Sequence, residues 1–385
     1  MARVKTHYLR GRDAGHFGRR LGARSDVIYT IMSDEQPAVE KARVPSGCSL
    51  AEIMSFDPRT TIAEPRHYLQ AQMRWRWGEI AFWLATLLPF IVAPDYLLLA
   101  SQVAIAALFV LSLDLILGFA GIVSLGHAAY FGTGAYTAGL ISKWGWGEPI
   151  IGLVIAAVAA GLFGYVTSFI IARFRHLPLI MITLGIGLLL QESANSASWL
   201  TGGFDGLQGI HTWPILGRFR LDLYGYTAYA YALAALFVIF LGARRLVHSP
   251  FGLALRGIRD NSQRMRAIGA ATHSHIRTIY TIAAMIAGAA GAILTQTTET
   301  VSLEVLGFQR SADVLVMLIL GGTGRLYGGL LGAVVYMVAR DQFSGLNPQY
   351  WYFWIGLLLI AVVVVVPNGL LGGLSLLTRR AKAEP

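Results

Sequence analysis

An all-α, polytopic bundle of membrane helices is the fold class that this sequence predicts, and three observations predict it. Hydrophobic residues make up 55% of the chain and charged residues only 14%, where a soluble domain carries about 25% charge. The apolar residues gather into long runs cut by Pro, Gly and charge clusters, and mean hydropathy is +0.57. Arg and Lys fall into groups spaced so that they return to one side of a bilayer. The expectation is about 8–10 membrane segments, the shorter ones broken or re-entrant, because a perpendicular crossing takes about 20 helical residues.

Residues 1–74 stand apart. They mix basic and acidic residues with scattered Pro and Gly and show no sustained apolar periodicity, the composition of a disordered segment. Two readings stay open. The segment is a cytoplasmic tail, or translation starts later, with Met73 followed by Arg74 and Arg76 as a natural beginning. No basic stretch leads into an apolar core and a small-residue cleavage site, which argues against a signal peptide.

A membrane domain is expected over 75–373, with a basic tail at 374–385. Its candidate spans are 79–93, 96–117, 125–142, 149–172, 178–200, 223–243, 276–297, 309–322, 325–341 and 350–366. Of these, 79–93, 309–322 and 325–341 are short for a full crossing. Arg66, Arg74 and Arg76 precede the first span and place it starting from the cytoplasm. Arg173, Arg175 and His176 follow the fourth. Arg244, Arg245, Arg256, Arg259, Arg264, Arg266 and Arg277 follow the sixth, against the single acid Asp260. Arg379, Arg380 and Lys382 close the chain. Ten crossings with both termini cytoplasmic put every cluster on one side, and eight, with 309–341 re-entrant, keep the same parity. The net charge of +10 follows from that placement and requires no nucleic acid.

The stretch LGFAGIVSLGHAAYFGTGAYTAG at 117–139 is the most unusual in the membrane part. Gly118, Gly121, Gly126, Gly132 and Gly134 punctuate it. In water each glycine would weaken a helix by about 1 kcal/mol relative to alanine. Between packed membrane helices small residues let backbones approach, and irregular backbone is tolerated where protein buries it. We read these glycines as a packing hinge. A second cluster, LGGTGRLYGGLLGA at 320–333, shares the L-G-x-x-G pattern and suggests an internal repeat.

Residues 250–272 carry Leu253, Leu255, Ile258, Met265 and Ile268 among the charges, with Gly269 interrupting the pattern. Such a short amphipathic helix either rests on lipid head groups or fits a groove on a cytosolic partner. The polar residues Asp114, Gln191, Glu192, Asn195, Gln296 and Asp313 fall at apparent membrane depth. An ionisable group there is by default a candidate for a transport path. The competing role is a single helix–helix hydrogen bond of about 0.6 kcal/mol. His127, beside Gly126 at a helix start, reads as structural.

The sequence excludes other classes. Cys48 is the only cysteine, so neither an intramolecular disulfide nor a Cys-based metal site is available. No G-x-x-x-x-G-K-[ST] loop is present. The nine histidines are dispersed, unlike the convergent cluster of a membrane-embedded enzyme. No catalytic, metal or cofactor site is expected in this chain.

Four stretches carry a family resemblance: LGFAGIVSLGHAAYFGTGAYTA at 117–138, TGGFDGLQGI at 201–210, ALRGIRDNSQRMRAIGA at 254–270 and SADVLVMLILGGTGRLYGGLLGA at 311–333. In these motifs, and in their order and spacing over about residues 79–373, the chain resembles the membrane permease subunits of branched-chain amino acid ABC transporters, the LivM-like type. The resemblance implies a non-catalytic importer subunit of the bacterial inner membrane. It would work with a second related permease, two cytosolic ATPase subunits and an extracytoplasmic solute-binding protein. It places the ATPase-docking coupling segment at Arg256, Arg259, Asp260, Arg264, Met265, Arg266, Ala267 and Gly269. Two positions depart from the family pattern. Asp114 stands where Asn is usual, and Arg264 and Arg266 flank Met265 where acidic residues are common. A proton-driven carrier with Asp114 or Glu192 as its titrating group is the alternative.

Overall fold

In the computed structural model the described residues are 77–92, 94–174, 177–215, 217–219, 225–365 and 369–372. The expected N-terminal segment 1–74 and basic tail 374–385 lie outside them. The described residues form a helical bundle with no β-strand, only two isolated bridges.

The helices used below are α1 (Trp77–Ala85), α2 (Leu97–Asp114), α3 (Ala128–Lys143), α4 (Pro149–Ile171), α5 (Leu177–Ser196), α6 (Tyr226–Val247), α7 (Pro250–Ala267), α8 (Thr272–Thr298), α9 (Phe308–Gly321), α10 (Leu326–Leu346) and α11 (Trp351–Val365). Five stretches are long and apolar enough to cross a bilayer: Pro94–Phe119, Pro149–Ile171, Leu177–Ser196, Tyr226–Val247 and Thr272–Thr298. Helices α9 and α10 meet that test only as a pair, bent by 115° at 322–325, which is the broken geometry expected for 309–341. The first apolar run is likewise broken. It turns at 86–88 between α1 and the short helix Pro89–Val92.

Burial separates the centre of the bundle from its rim. Every residue from Ala107 to Ile116 on α2 is buried, and a helix apolar all round must sit inside. Within the apolar window of α8, 72% of residues are buried, against 17% on α5, so α8 is central and α5 offers its flank to lipid. Helix α8 packs chiefly against α4, α3 and α2. Its run of Ala283, Ala284, Ala287, Gly288, Ala290 and Gly291 has no bulky side chain to hold the neighbours off. A Cβ on Gly134 of α3 would overlap the backbone of Gly288, and one on Gly291 would overlap the carbonyl of Phe131.

A buried hydroxyl chain crosses the same contact. Tyr130 Oη lies 2.8 Å from Thr167 Oγ1 and 3.3 Å from Tyr280 Oη, which lies 3.3 Å from Ser124 Oγ. These groups satisfy one another where no bulk water reaches.

The 117–139 stretch is a helix end, a non-helical passage and a new helix. Helix α2 continues into a π turn, Leu115–Phe119; residues 121–127 carry no regular helix, and α3 starts at Ala128. Helix α3 has 16 residues, about 24 Å at 1.5 Å per residue. Ile122, Ser124, Gly126 and His127 in the passage are all buried, the setting in which irregular backbone persists at membrane depth. His127 Nε2 lies 2.8 Å from Ser112 Oγ, and its ring stacks on Phe109 at 5.5 Å. Ser311 Oγ accepts the Ala128 N–H at 2.9 Å, tying the start of α3 to α9.

The loop motif at 201–210 also has a local cause. Leu207 and Val301 exchange backbone hydrogen bonds of 2.8 and 3.0 Å. Beside them Gly206 takes φ +73°, and a Cβ there would strike the Val301 carbonyl. Only glycine meets both requirements.

Candidate functional site

The segment 250–272, read from sequence as one short amphipathic helix, is helical over most of its length. Helix α6 runs to Val247, α7 fills 250–267 and α8 begins at Thr272. Ser249 caps α7 by accepting the Gly252 N–H, and Pro250 occupies its first turn. The single helix is corrected to two pieces, because Asn261 adopts φ −155°, ψ 96°. Its Oδ1 accepts the N–H groups of Gln263 and Arg264 at 3.1 and 2.9 Å. An Asn side chain caps a new turn in this way and offers the backbone an alternative to helix.

The faces of α7 differ. Gly252, Leu255 and Ile258 are buried against the bundle. Asp260, Arg264, Arg266, Ala267 and Gly269 are exposed, as are Leu253 and Ile268. Arg256 and Met265 are half-buried, and the Arg256 guanidinium lies 5.4 Å from the Phe119 ring centre. Gly269 has φ +87° and lies just beyond the last turn.

Arg259 reaches from α7 into the bundle. Its Nη1 donates to the Gly118 carbonyl at 2.6 Å, an oxygen at the end of the π turn, where helix carbonyls lack intrahelical donors. Asp114, four residues earlier, is fully buried, and its Oδ1 accepts the Gly324 N–H at 2.7 Å. Gly324 belongs to the bend between α9 and α10, with φ +75°. A Cβ on Gly118 would overlap both Asp114 Oδ1 and the Gly324 backbone. Three irregular points of the chain therefore meet: the kinked helix α7, the π turn ending α2, and the α9–α10 bend. π turns inserted in helices concentrate at functional sites. Gly121 adjoins this contact with φ +71°, its α-carbon facing the Arg259 stem. The other hinge candidates sit deeper, Gly126 against the Thr183 carbonyl, Gly132 against Leu306 and Gly134 against Gly288.

The six polar candidates at membrane depth do not converge on one path. Asp114 lies in the contact just described. Gln296 is buried and tied at both ends of its amide. Its Nε2 donates to the Pro149 carbonyl at 2.8 Å, and its Oε1 accepts from Tyr231 Oη at 2.9 Å. Gln191, Glu192 and Asn195 lie near the end of the rim helix α5; Glu192 is exposed and among the described residues accepts the Ser196 hydroxyl at 3.4 Å.

Asp313 alone opens on a polar cavity, of about 310 Å³, between α2, α3, α8, α9, α10 and residues 300–305. Its Oδ1 accepts from Tyr336 Oη at 3.0 Å and Gln309 Nε2 at 3.1 Å. The cavity also holds Arg310 and Arg340, which the sequence reading missed. The available signal was Arg310 three residues before Asp313, a spacing that puts both on one helix face. From Gly118 back to Gln102, which lines the cavity, is 16 residues of α2 and its π turn. That is about 24 Å at helical rise, so the cavity lies toward the end of the bundle opposite α7.

Comparison with known proteins follows this geometry. The family described as branched-chain amino acid transport system / permease component matches residues 96–363. The high-affinity branched-chain amino acid transport system permease protein LivM of Escherichia coli K12 is 28% identical over 314 residues, covering 75% of this chain and 72% of that protein. A probable LivM of Methanocaldococcus jannaschii is 25% identical over 327 residues, 71% of this chain and 92% of that protein. The autoinducer 2 import system permease LsrC of Enterobacter sp. strain 638 is 28% identical over 242 residues, 60% and 67% respectively. No solved structure matches. An apolar bundle of spanning helices, broken twice where it meets an amphipathic helix and matched over most of its membrane part, belongs to the branched-chain amino acid transport system permease family.

Proposed function

We propose that this permease moves branched-chain amino acids, or related small polar solutes, inward across the plasma membrane of a bacterium as one subunit of an ABC importer. The observation that carries the mechanism is the Arg259–Gly118 hydrogen bond beside the Asp114–Gly324 bond. It joins an exposed amphipathic helix to two points where spanning helices break. The exposed side of α7, with Arg264, Met265, Arg266 and Gly269, receives a cytosolic ATPase. A second related permease completes the membrane part, and an extracytoplasmic binding protein delivers solute. In this orientation the α7 end of the bundle is cytoplasmic, as are both termini, and the cavity at Asp313 faces outward.

The chain itself performs no catalysis and holds no cofactor. Closure of the ATPases displaces α7, and the displacement passes through Arg259 to the π turn and the α9–α10 bend. The glycines there let the helix ends shift without side-chain overlap. Energy enters as a difference in contact between outward-open and inward-open states. The name of the Enterobacter relative indicates a second cargo class, autoinducer 2, so the cargo is small and polar in either case.

Reconstitution with the four partner subunits tests this reading. Uptake of labelled leucine into proteoliposomes is expected only with ATP inside the assembly's cytosolic face. The paired reversal Arg264→Glu and Arg266→Glu, or Gly269→Pro, is expected to abolish uptake while membrane insertion survives. Unchanged ATP-dependent uptake by these variants would remove the docking assignment. Uptake driven by a proton gradient without ATPase subunits would establish the alternative, a secondary carrier.

A further inference from the structure

The cavity at the end of the bundle opposite α7 contains an arrangement of charge that packing does not require. Among the described residues the ion pairs are Arg244–Glu79 and Arg259–Asp260, both away from this cavity, so neither Arg310 nor Arg340 has a carboxylate within salt-bridge distance. Each guanidinium is instead held against an aromatic face. Arg310 Cζ lies 5.7 Å from the centre of Phe131, and Arg340 Cζ lies 5.2 Å from the centre of Trp351. An aromatic face fixes a guanidinium without using its N–H donors. Arg310 lies within electrostatic reach of Arg340 and of the carboxylates of Asp313 and Glu304.

On the same face of α9 as Arg310 stands one acceptor, Asp313. Tyr336 and Gln309 both donate to Asp313 Oδ1, and among the described residues the second carboxylate oxygen has no donor. Ile105, Phe109, Val314, Met317 and Met337 form an apolar part of the wall, and Gln102, Thr298, Thr300 and Ser302 line the rest with polar groups. A volume of about 310 Å³ is at the small end of ligand sites, which run from about 300 to 1,000 Å³.

We propose that this cavity is a binding site for a zwitterionic α-amino acid with an aliphatic side chain. Arg310 and Arg340 take its carboxylate, the free oxygen of Asp313 takes its ammonium, and the apolar wall takes the side chain. The permease therefore selects its solute within the membrane, in addition to any selection by a binding protein. The proposal rests on the importer reading for the source of the solute, and on the cavity alone for its chemistry.

The test uses the assembled transporter in lipid nanodiscs with the binding protein omitted. Three probes separate the contacts: leucine, leucinamide without the carboxylate, and 4-methylpentanoate without the ammonium. Wild type is expected to bind leucine at least about tenfold more tightly than either analogue, the scale of one charge-assisted hydrogen bond. Arg310→Gln and Arg340→Gln should each weaken leucine binding by a similar factor and erase the preference over leucinamide. Arg310→Lys should retain part of that preference. Asp313→Asn, which still accepts from Tyr336, should erase the preference over 4-methylpentanoate alone. Leucine binding unchanged in both glutamine variants, or equal binding of the three probes by wild type, overturns the site. ATP-dependent leucine uptake is measured in parallel. Uptake that persists while the variants bind like wild type leaves the importer reading standing and removes the site. Probe discrimination as expected with no ATP-dependent uptake does the reverse.

Discussion

Replacing Arg259 with alanine tests the link between α7 and the bundle. The change removes the Nη1 donor 2.6 Å from the Gly118 carbonyl and leaves that helix-end oxygen without its side-chain partner. A hydrogen bond from a charged donor contributes about 1.5–3 kcal/mol. The Arg259 side chain is 40% exposed, so water replaces part of that contribution, and about 1–2 kcal/mol is the appropriate range. One or two kcal/mol corresponds to a factor of about 5–30 in a two-state population. If the bond exists in only one access state, solute moved per ATP hydrolysed falls by that factor. The assay measures both quantities on one proteoliposome preparation of the complete transporter. ATP hydrolysis is expected to stay near wild type while uptake drops, and Arg259→Lys is expected to recover part of the loss. Parallel decline of hydrolysis and uptake would place Arg259 in ATPase docking rather than transmission. No change in either would refute the link.

Two further substitutions address the same contact from the membrane side. Asp114→Asn keeps an oxygen for the Gly324 N–H, so ATP-driven uptake should remain close to wild type, whereas Asp114→Leu should abolish it; loss of uptake in the Asn variant would instead support a titrating role for the carboxyl group. Gly118→Ala places a methyl group on Asp114 Oδ1 and the Gly324 backbone. Overpacking of this kind costs about 1–3 kcal/mol and should lower the thermal midpoint of the detergent-solubilised protein, with an unchanged midpoint refuting the close approach.

Much of this molecule is visible in its sequence because lipid imposes a strong constraint. Apolar runs must be helices there, since exposed backbone groups have no water to bond. The short run at 309–341 signals a break, and the structure bends at 322–325. Asp114 is readable as a group that must face protein, and it does so with no exposure. What sequence does not reveal is which polar groups are already satisfied. Gln296 looks like a path residue until the Pro149 carbonyl and Tyr231 hydroxyl are placed on its amide. Gln191 and Asn195 share a helix face, but that helix is at the rim. Arg310 and Arg340 are hidden for the opposite reason. Arginines near the ends of apolar runs are ordinarily topology signals, and only the fold brings this pair to one cavity beside Asp313. The kink at Asn261 had a local signal, an Asn within a helical pattern, whose backbone-capping tendency outweighs the amphipathic periodicity.

The contact at Arg259 and the cavity at Arg310 are carried by the same two elements, which in the proposed transport cycle would couple them. Helix α2 supplies Gln102, Ile105 and Phe109 to the cavity and reaches α7 through Asp114 and Gly118. Helix α9 supplies Arg310, Asp313 and Met317 to the cavity and ends at the bend that holds Gly324. Helix α9 has 14 residues, about 21 Å at helical rise, and the α2 segment between the sites is buried on every face. A buried helix in a close-packed interior cannot deform gradually, so it moves as a rod. In the proposed cycle a shift of α7 that pulls on Gly118 would pass through the π turn to the cavity wall formed by α2. The Gly324 end of α9 stays fixed to Asp114, so it moves with α2 unless that bond breaks. In the proposed cycle the Asp114–Gly324 bond would decide whether Arg310 and the α2 wall travel together or separate, and separation would release a bound solute.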